Sequence, residues 1–103
     1  MSAILAELRD HFRESTRPRI ADMQLLVAAI RCDARDASAV DQLARHFHAL
    51  AGLGGSYGFA VVSTLADEGE GTAMPFARAA TAPSDAHVER WSELVAAIAR
   101  EIA

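Results

Sequence analysis

Lysine is missing altogether: the ten basic residues of this 103-residue chain are all arginines. Cysteine occurs once, at Cys32. That excludes an internal disulfide and a multi-cysteine zinc site, and makes a reducing compartment the default. Aromatic residues are scarce, at 6%. β-Branched residues are few and scattered, and no stretch alternates apolar and polar with period two, which argues against a sheet. No apolar run approaches the ~20 residues of a membrane span. Glu7, Arg9 and Asp10 interrupt what would be the apolar region of a signal peptide. A cytoplasmic protein without membrane contact is therefore expected. The net charge of −4 argues against nucleic acid, because neutralising phosphates needs a basic surface. What is present is apolar: 51% hydrophobic content is too high for a disordered segment. This length holds one core, so residues 1–103 read as a single domain with a radius of gyration of about 13 Å.

Ala, Leu, Glu and Arg dominate, with apolar residues recurring at about 3.6-residue spacing, so the fold reads as all-α. A first helix is predicted over Ser2 to Glu14 on Ile4, Leu5, Leu8 and Phe12. Ser15, Thr16 and Pro18 interrupt it, with Thr16 a candidate N-cap, although the same residues fit a kink in one long helix. The second helix runs to about Cys32 on Ile20, Met23, Leu26, Val27 and Ile30, with Cys32 half-buried at its end. Ser38 offers a cap for the third, which continues to about Gly54. Gly52, Gly54, Gly55 and Gly58 mark a tight helix–helix turn. A fourth helix follows from near Tyr57, then a loop over 75–83 with one helical turn around Phe76. Ser84 caps the last helix, packed on Val88, Trp91, Leu94, Val95, Ile98 and Ile102. The expected architecture is an antiparallel four-helix bundle with an additional N-terminal helical segment folded over one end.

On a helical wheel, Val40, Leu43, Phe47, Leu50 and Leu53 average about 140° from His48. They define the core face, so His48 points to solvent. Its neighbours three, four and seven residues away are Asp41, Ala44, Arg45, Ala51, Gly52 and Gly55. A glycine inside a helix costs about 1 kcal/mol relative to alanine, which points to close approach by another molecule. His46 lies nearer the core and is expected partly buried and hydrogen-bonded. Asp67, Glu68 and Glu70 read as a solvated face away from His48.

Residues 48–59 read His-Ala-Leu-Ala-Gly-Leu-Gly-Gly-Ser-Tyr-Gly-Phe. This segment resembles the signature of histidine-containing phosphotransfer (HPt) domains of two-component phosphorelays. His48 matches the phosphorylatable histidine, Gly52 the glycine four residues on, and Gly58 the glycine ten on. Ala51 departs from the pattern, standing where the family usually has a lysine that helps stabilise the phosphoryl charge. Arg45, one turn earlier, is a candidate substitute, since a guanidinium suits phosphate oxygens. The resemblance implies that His48 accepts a phosphoryl group from the phosphoaspartate of a receiver domain and passes it to another receiver. Neutral imidazole, with an ordinary pKa of about 6.5, is a nucleophile suited to that task. The implied partners are response-regulator receiver domains and a hybrid sensor histidine kinase. The receiver would dock over Ala44, Ala51, Gly52 and Gly55 and bring its own Mg²⁺. No cofactor is expected on this chain. The glycines do not form a nucleotide-cradling loop, because no Lys-Ser/Thr pair follows them, so a phosphocarrier rather than an enzyme is expected.

Two other classes compete. A metal- or haem-binding bundle would draw on His11, His46, His48 and His87, but His46 and His48 point to opposite sides of one helix and no Glu-x-x-His motif occurs. A non-phosphorylated helical module that binds a receiver or kinase domain is the alternative that the missing lysine keeps open. The start at Met1 and the closure of one bundle lead us to expect a free-standing monomer.

Overall fold

A computed structural model describes residues 3–103. Four helices follow in order: α1 over Ala3–Cys32, α2 over Ala37–Ser56, α3 over Ala60–Ala79 and α4 over Asp85–Glu101. Each packs on its neighbours in sequence, and α1 closes the ring against α4. Connections of three to five residues make consecutive helices antiparallel. The radius of gyration is 13.9 Å, with extents of 46 × 19 × 19 Å. The long dimension is α1, whose 30 residues outreach the other helices.

The additional N-terminal segment is the beginning of α1, and its predicted start at Ser2 lies outside the described residues. Pro18 sits inside the helix without ending it. The buried residues Phe12, Thr16, Ile20, Met23, Val27 and Ile30 form one stripe that passes through the proline in phase. A helix-interior proline costs about 3 kcal/mol, while each large apolar side chain in that stripe gains about 1.5–3 kcal/mol on burial. Packing therefore decides, and Thr16 is a buried stripe residue rather than a cap. Nor does the segment fold over the bundle. Ile4, Leu5 and Leu8 stay exposed, and Phe12 anchors α1 by stacking on Tyr57 and Phe59 at 5.4 and 4.8 Å between ring centroids.

The predicted loop over 75–83 is shorter than expected, because α3 continues through Pro75 to Ala79. The residue four before Pro75 is Gly71, which presents no side chain. Beyond the proline, Phe76 meets the edges of Trp91 and His87 on α4, at 6.1 and 4.7 Å. Trp91 is fully buried and its Nε1–H donates to Thr72 Oγ1 at 2.8 Å. Ser84 caps α4 as predicted, accepting from the His87 N–H. At α2 the cap is Asp36, which accepts from the Ala39 N–H, in place of Ser38. Cys32 is exposed rather than half-buried.

The α2–α3 hairpin sets the register of everything near His48. Gly58 takes a φ of +82°, the left-handed conformation that glycine adopts readily, and the Phe59 N–H reaches back to the Gly54 carbonyl at 2.7 Å. A Cβ on Gly54 would stand 3.0 Å from the Ser63 nitrogen, and one on Gly69 would stand 2.5 Å from the Phe47 ring. Both glycines are buried: at Gly54 backbone meets backbone, and at Gly69 the Phe47 ring lies against the α3 backbone. This draws the core face of α2 round towards α3. Gly54 takes the place expected for Leu53, which turns out to be 41% exposed.

Gly69→Ala should lower the unfolding free energy by about 1–3 kcal/mol, the usual range for overpacking. Gly71→Ala, with open space around its Cβ, should raise it by about 0.5–1 kcal/mol. Urea titrations followed by Trp91 fluorescence measure both. A wild-type midpoint for Gly69→Ala would refute the close approach at Phe47.

Candidate functional site

His48 is carried on the middle of α2 and lies in solvent, where the wheel puts it, with 73% of its side chain exposed. Its Nδ1 is 2.5 Å from Oε2 of Glu70 on α3. A carboxylate only accepts, so Nδ1 carries the hydrogen. In the neutral ring the lone pair is then on Nε2. Glu70 itself is mostly buried, with 23% of its side chain exposed, so the imidazole is fixed against the less mobile partner. This corrects the expectation that the acidic residues of α3 stand away from His48. The hairpin explains it: folding the chain about Gly58 and Phe59 brings together residues whose numbers sum to about 117. Gly54 with Ser63, Phe47 with Gly69, and His48 with Glu70 all obey that rule.

The predicted platform is only partly a surface. Gly52 and Gly55 are exposed, and a Cβ on Gly52 would meet nothing within 4 Å. Ala51 is half-buried, and its carbonyl accepts from Ser63 Oγ at 2.6 Å. Ala44 is fully buried and belongs to the core, which removes it from the docking surface. The cause is the rotation of the α2 core face towards α3, which covers the side of the His48 ring that holds Ala44 and Ala51. Arg45 is exposed, and its Nε donates to Asp41 at 2.8 Å. On α3, Glu68 turns away to α4, where Arg90 holds it with bonds of 2.6 and 2.8 Å. That pairing draws the Glu68 carboxyl below its usual range and raises the Arg90 guanidinium.

His46 faces α1. It is half-buried, and Arg19 Nη1 donates to its Nδ1 at 2.9 Å. Burial lowers its pKa below 6.5, the Arg19 charge lowers it further, and Asp22 opposes the shift. Burial and Arg19 thus bias His46 towards its neutral form, and the two histidines of this helix sit in different surroundings.

An exposed histidine on α2, small residues beside it, and a hairpin that places a carboxylate on its Nδ1 are what the fold brings together here. The family model of the Hpt domain matches residues 7–101. The chain belongs to the Hpt domain family. No curated protein and no solved structure matches it. As an Hpt domain it is a phosphotransfer module of two-component signalling, a family of phosphocarriers that work with receiver domains and kinases. No helix of the described residues is long and apolar enough to cross a membrane. Among those residues no group of three His, Cys, Asp or Glu side chains is placed to hold a metal ion.

The Hpt domain should lose stability as pH falls through the depressed pKa of His46. The sign follows from linkage: a histidine that prefers to be neutral when folded stabilises above the unfolded value near 6.5 and must be protonated against Arg19 below it. His46→Gln should flatten the stability profile on the acid side of about pH 6.5, the ordinary histidine value. Unchanged curvature in urea titrations across that range would remove His46 from this role.

Proposed function

We propose that this Hpt domain is a phosphorelay intermediate. His48 Nε2 accepts a phosphoryl group from the phosphoaspartate of one receiver domain and passes it to a second. The observation that carries the reading is the hydrogen bond from His48 Nδ1 to Glu70. It holds the ring in the tautomer whose lone pair lies on the exposed nitrogen. In the forward step that lone pair attacks phosphorus and the N–P bond forms. The bond to the aspartyl oxygen breaks, and aspartate leaves as a carboxylate. The ring becomes positively charged, and the Glu70 carboxylate, already on the Nδ1 proton, stabilises that charge. The receiver supplies Mg²⁺, and the phosphocarrier needs no cofactor of its own.

Gly52 and Gly55 provide the smooth surface on which the receiver backbone lies, with Ala51 at its edge. Arg45 is the one basic side chain on the His48 ring. Asp41 offsets its charge, so its contribution to the transferred phosphoryl group is small. The second reading is a module that binds a receiver or kinase without exchanging phosphate. Ala51 in place of lysine favours it, and the same measurements separate the two.

Incubation with phosphorylated receiver domains should give acid-labile label on the wild-type chain and none on His48→Gln, with the helical content unchanged. Label persisting in His48→Gln would overturn the assignment. Glu70→Gln keeps the shape and removes the charge, and should slow transfer about tenfold, the effect of about 1.4 kcal/mol in the transition state. Gly55→Arg should weaken receiver binding while leaving the unfolding midpoint in place, because Gly55 is exposed near the helix end. Wild-type binding by that variant would place the receiver elsewhere.

A further inference from the structure

The seam between α2 and α3 beside His48 carries several carboxylates, most of them paired. By the pairing rule of the hairpin, Gly55 faces Ser63, Ala51 is level with Asp67, and His48 meets Glu70. Asp67 lies one turn from Glu70, towards the hairpin tip, and is exposed. The other carboxylates nearby are engaged: Asp41 by Arg45, Glu68 by Arg90 and Glu70 by His48. Among the described residues Asp67 has no hydrogen-bond or ion-pair partner. Beside it, the position of Ala51 offers no charge, and Gly52 leaves open space. No residue of α3 from Ala60 to Ala77 is basic.

We infer that Asp67 is a recognition residue for a basic side chain on the receiver's docking face, an arginine or lysine that enters over Ala51 and Gly52. The inference rests on the proposed phosphoacceptor role of His48. A phosphoryl group on His48 brings negative charge to a seam that already holds Glu70 and Asp67. A partner with an acidic or neutral face would add repulsion or leave it uncompensated. A cation seated between Asp67 and the phosphoryl group answers both charges at once. It occupies the region that a lysine at position 51 would fill from this chain. The arrangement makes the counter-charge a property of the complex, so receivers lacking the basic side chain are discriminated against.

The test uses two phosphodonors. Phosphoramidate is small and needs no docking surface. A receiver domain charged with acetyl phosphate, and shown to transfer to the wild-type chain, does. Asp67→Asn should be labelled by phosphoramidate no more slowly than the wild-type chain, since one negative charge near the incoming phosphoryl group is removed. With the phosphorylated receiver it should show a KM raised about threefold to tenfold, and a weaker dependence of kcat/KM on NaCl concentration. Asp67→Glu should restore most of the salt dependence, which a merely structural role for Asp67 would not require. A wild-type KM and wild-type salt dependence in Asp67→Asn would overturn the inference. Failure of phosphoramidate to label wild-type His48 would instead overturn the phosphoacceptor reading on which it rests.

Discussion

The contact on which the rest depends is the approach of α2 to α3, permitted at two buried glycines. A Cβ on Gly54 would crowd backbone atoms of residues 59 and 63, and one on Gly69 would enter the Phe47 ring. These are places where only hydrogen fits. Glycine weakens a helix interior by about 0.5–1 kcal/mol, and here the loss is offset by the packing of Phe47 and the closing of the hairpin. The two glycines lie on opposite helices and at different distances from the turn, so they fix spacing and register together. Phe47 is fully buried one residue before the exposed His48. The side chain that reads the close approach therefore also fixes the direction in which the imidazole points.

From that spacing follows the pairing of His48 with Glu70. A glutamate on a wider hairpin would reach the ring only through water, and the tautomer would be free to exchange. Here the carboxylate is mostly covered and the histidine mostly open, so the ordered partner orients the mobile one. His46, two residues away, illustrates the contrast. Its Nδ1 accepts from Arg19, while the Nδ1 of His48 donates to Glu70. The neighbour on each side decides which nitrogen carries hydrogen: Arg19 leaves it on Nε2 of His46, and Glu70 holds it on Nδ1 of His48.

The four helices of the bundle and the core of α4 were legible in periodicity, as was the exposure of His48. What escaped was information held between helices. Ser15, Thr16 and Pro18 fitted either a break or one long helix, and the single helix holds because the buried stripe from Phe12 to Ile30 continues in phase across them. Pro75 is tolerated for a similar reason, with Phe76 held by Trp91 beyond it. A wheel drawn for α2 alone places Leu53 in the core and Ala44 on the surface. Rotation of that face towards α3 reverses both, and no property of either residue signals it. Glu70 was the largest omission from the site. Only part of the signal was present: counting outward from Gly58 pairs residue 48 with residue 68, and the hairpin axis falls one residue later, at Phe59, which brings Glu70 to His48 instead.

On the proposed function, the same geometry bears on the absence of a lysine beside His48. Were a lysine to stand at position 51, the exposed Asp67 level with it would draw the ammonium into an ion pair on the seam. Such exposed pairs contribute little to stability, about 0–1 kcal/mol. They do offset the charge of each partner within a Debye length of about 8 Å, and the histidine is within that range on the adjacent turn. Arg45 meets that fate already, with Asp41 one turn back along α2. A cation belonging to this surface is thus partly neutralised before any phosphoryl group arrives. A cation brought by the partner reaches the seam only with the complex, when water is displaced and the same charges interact more strongly. On the proposed reading, the absence of lysine from the sequence and the unpaired carboxylate at Asp67 are two aspects of one arrangement. The carrier holds an oriented nucleophile, and the charge needed for transfer is completed by docking.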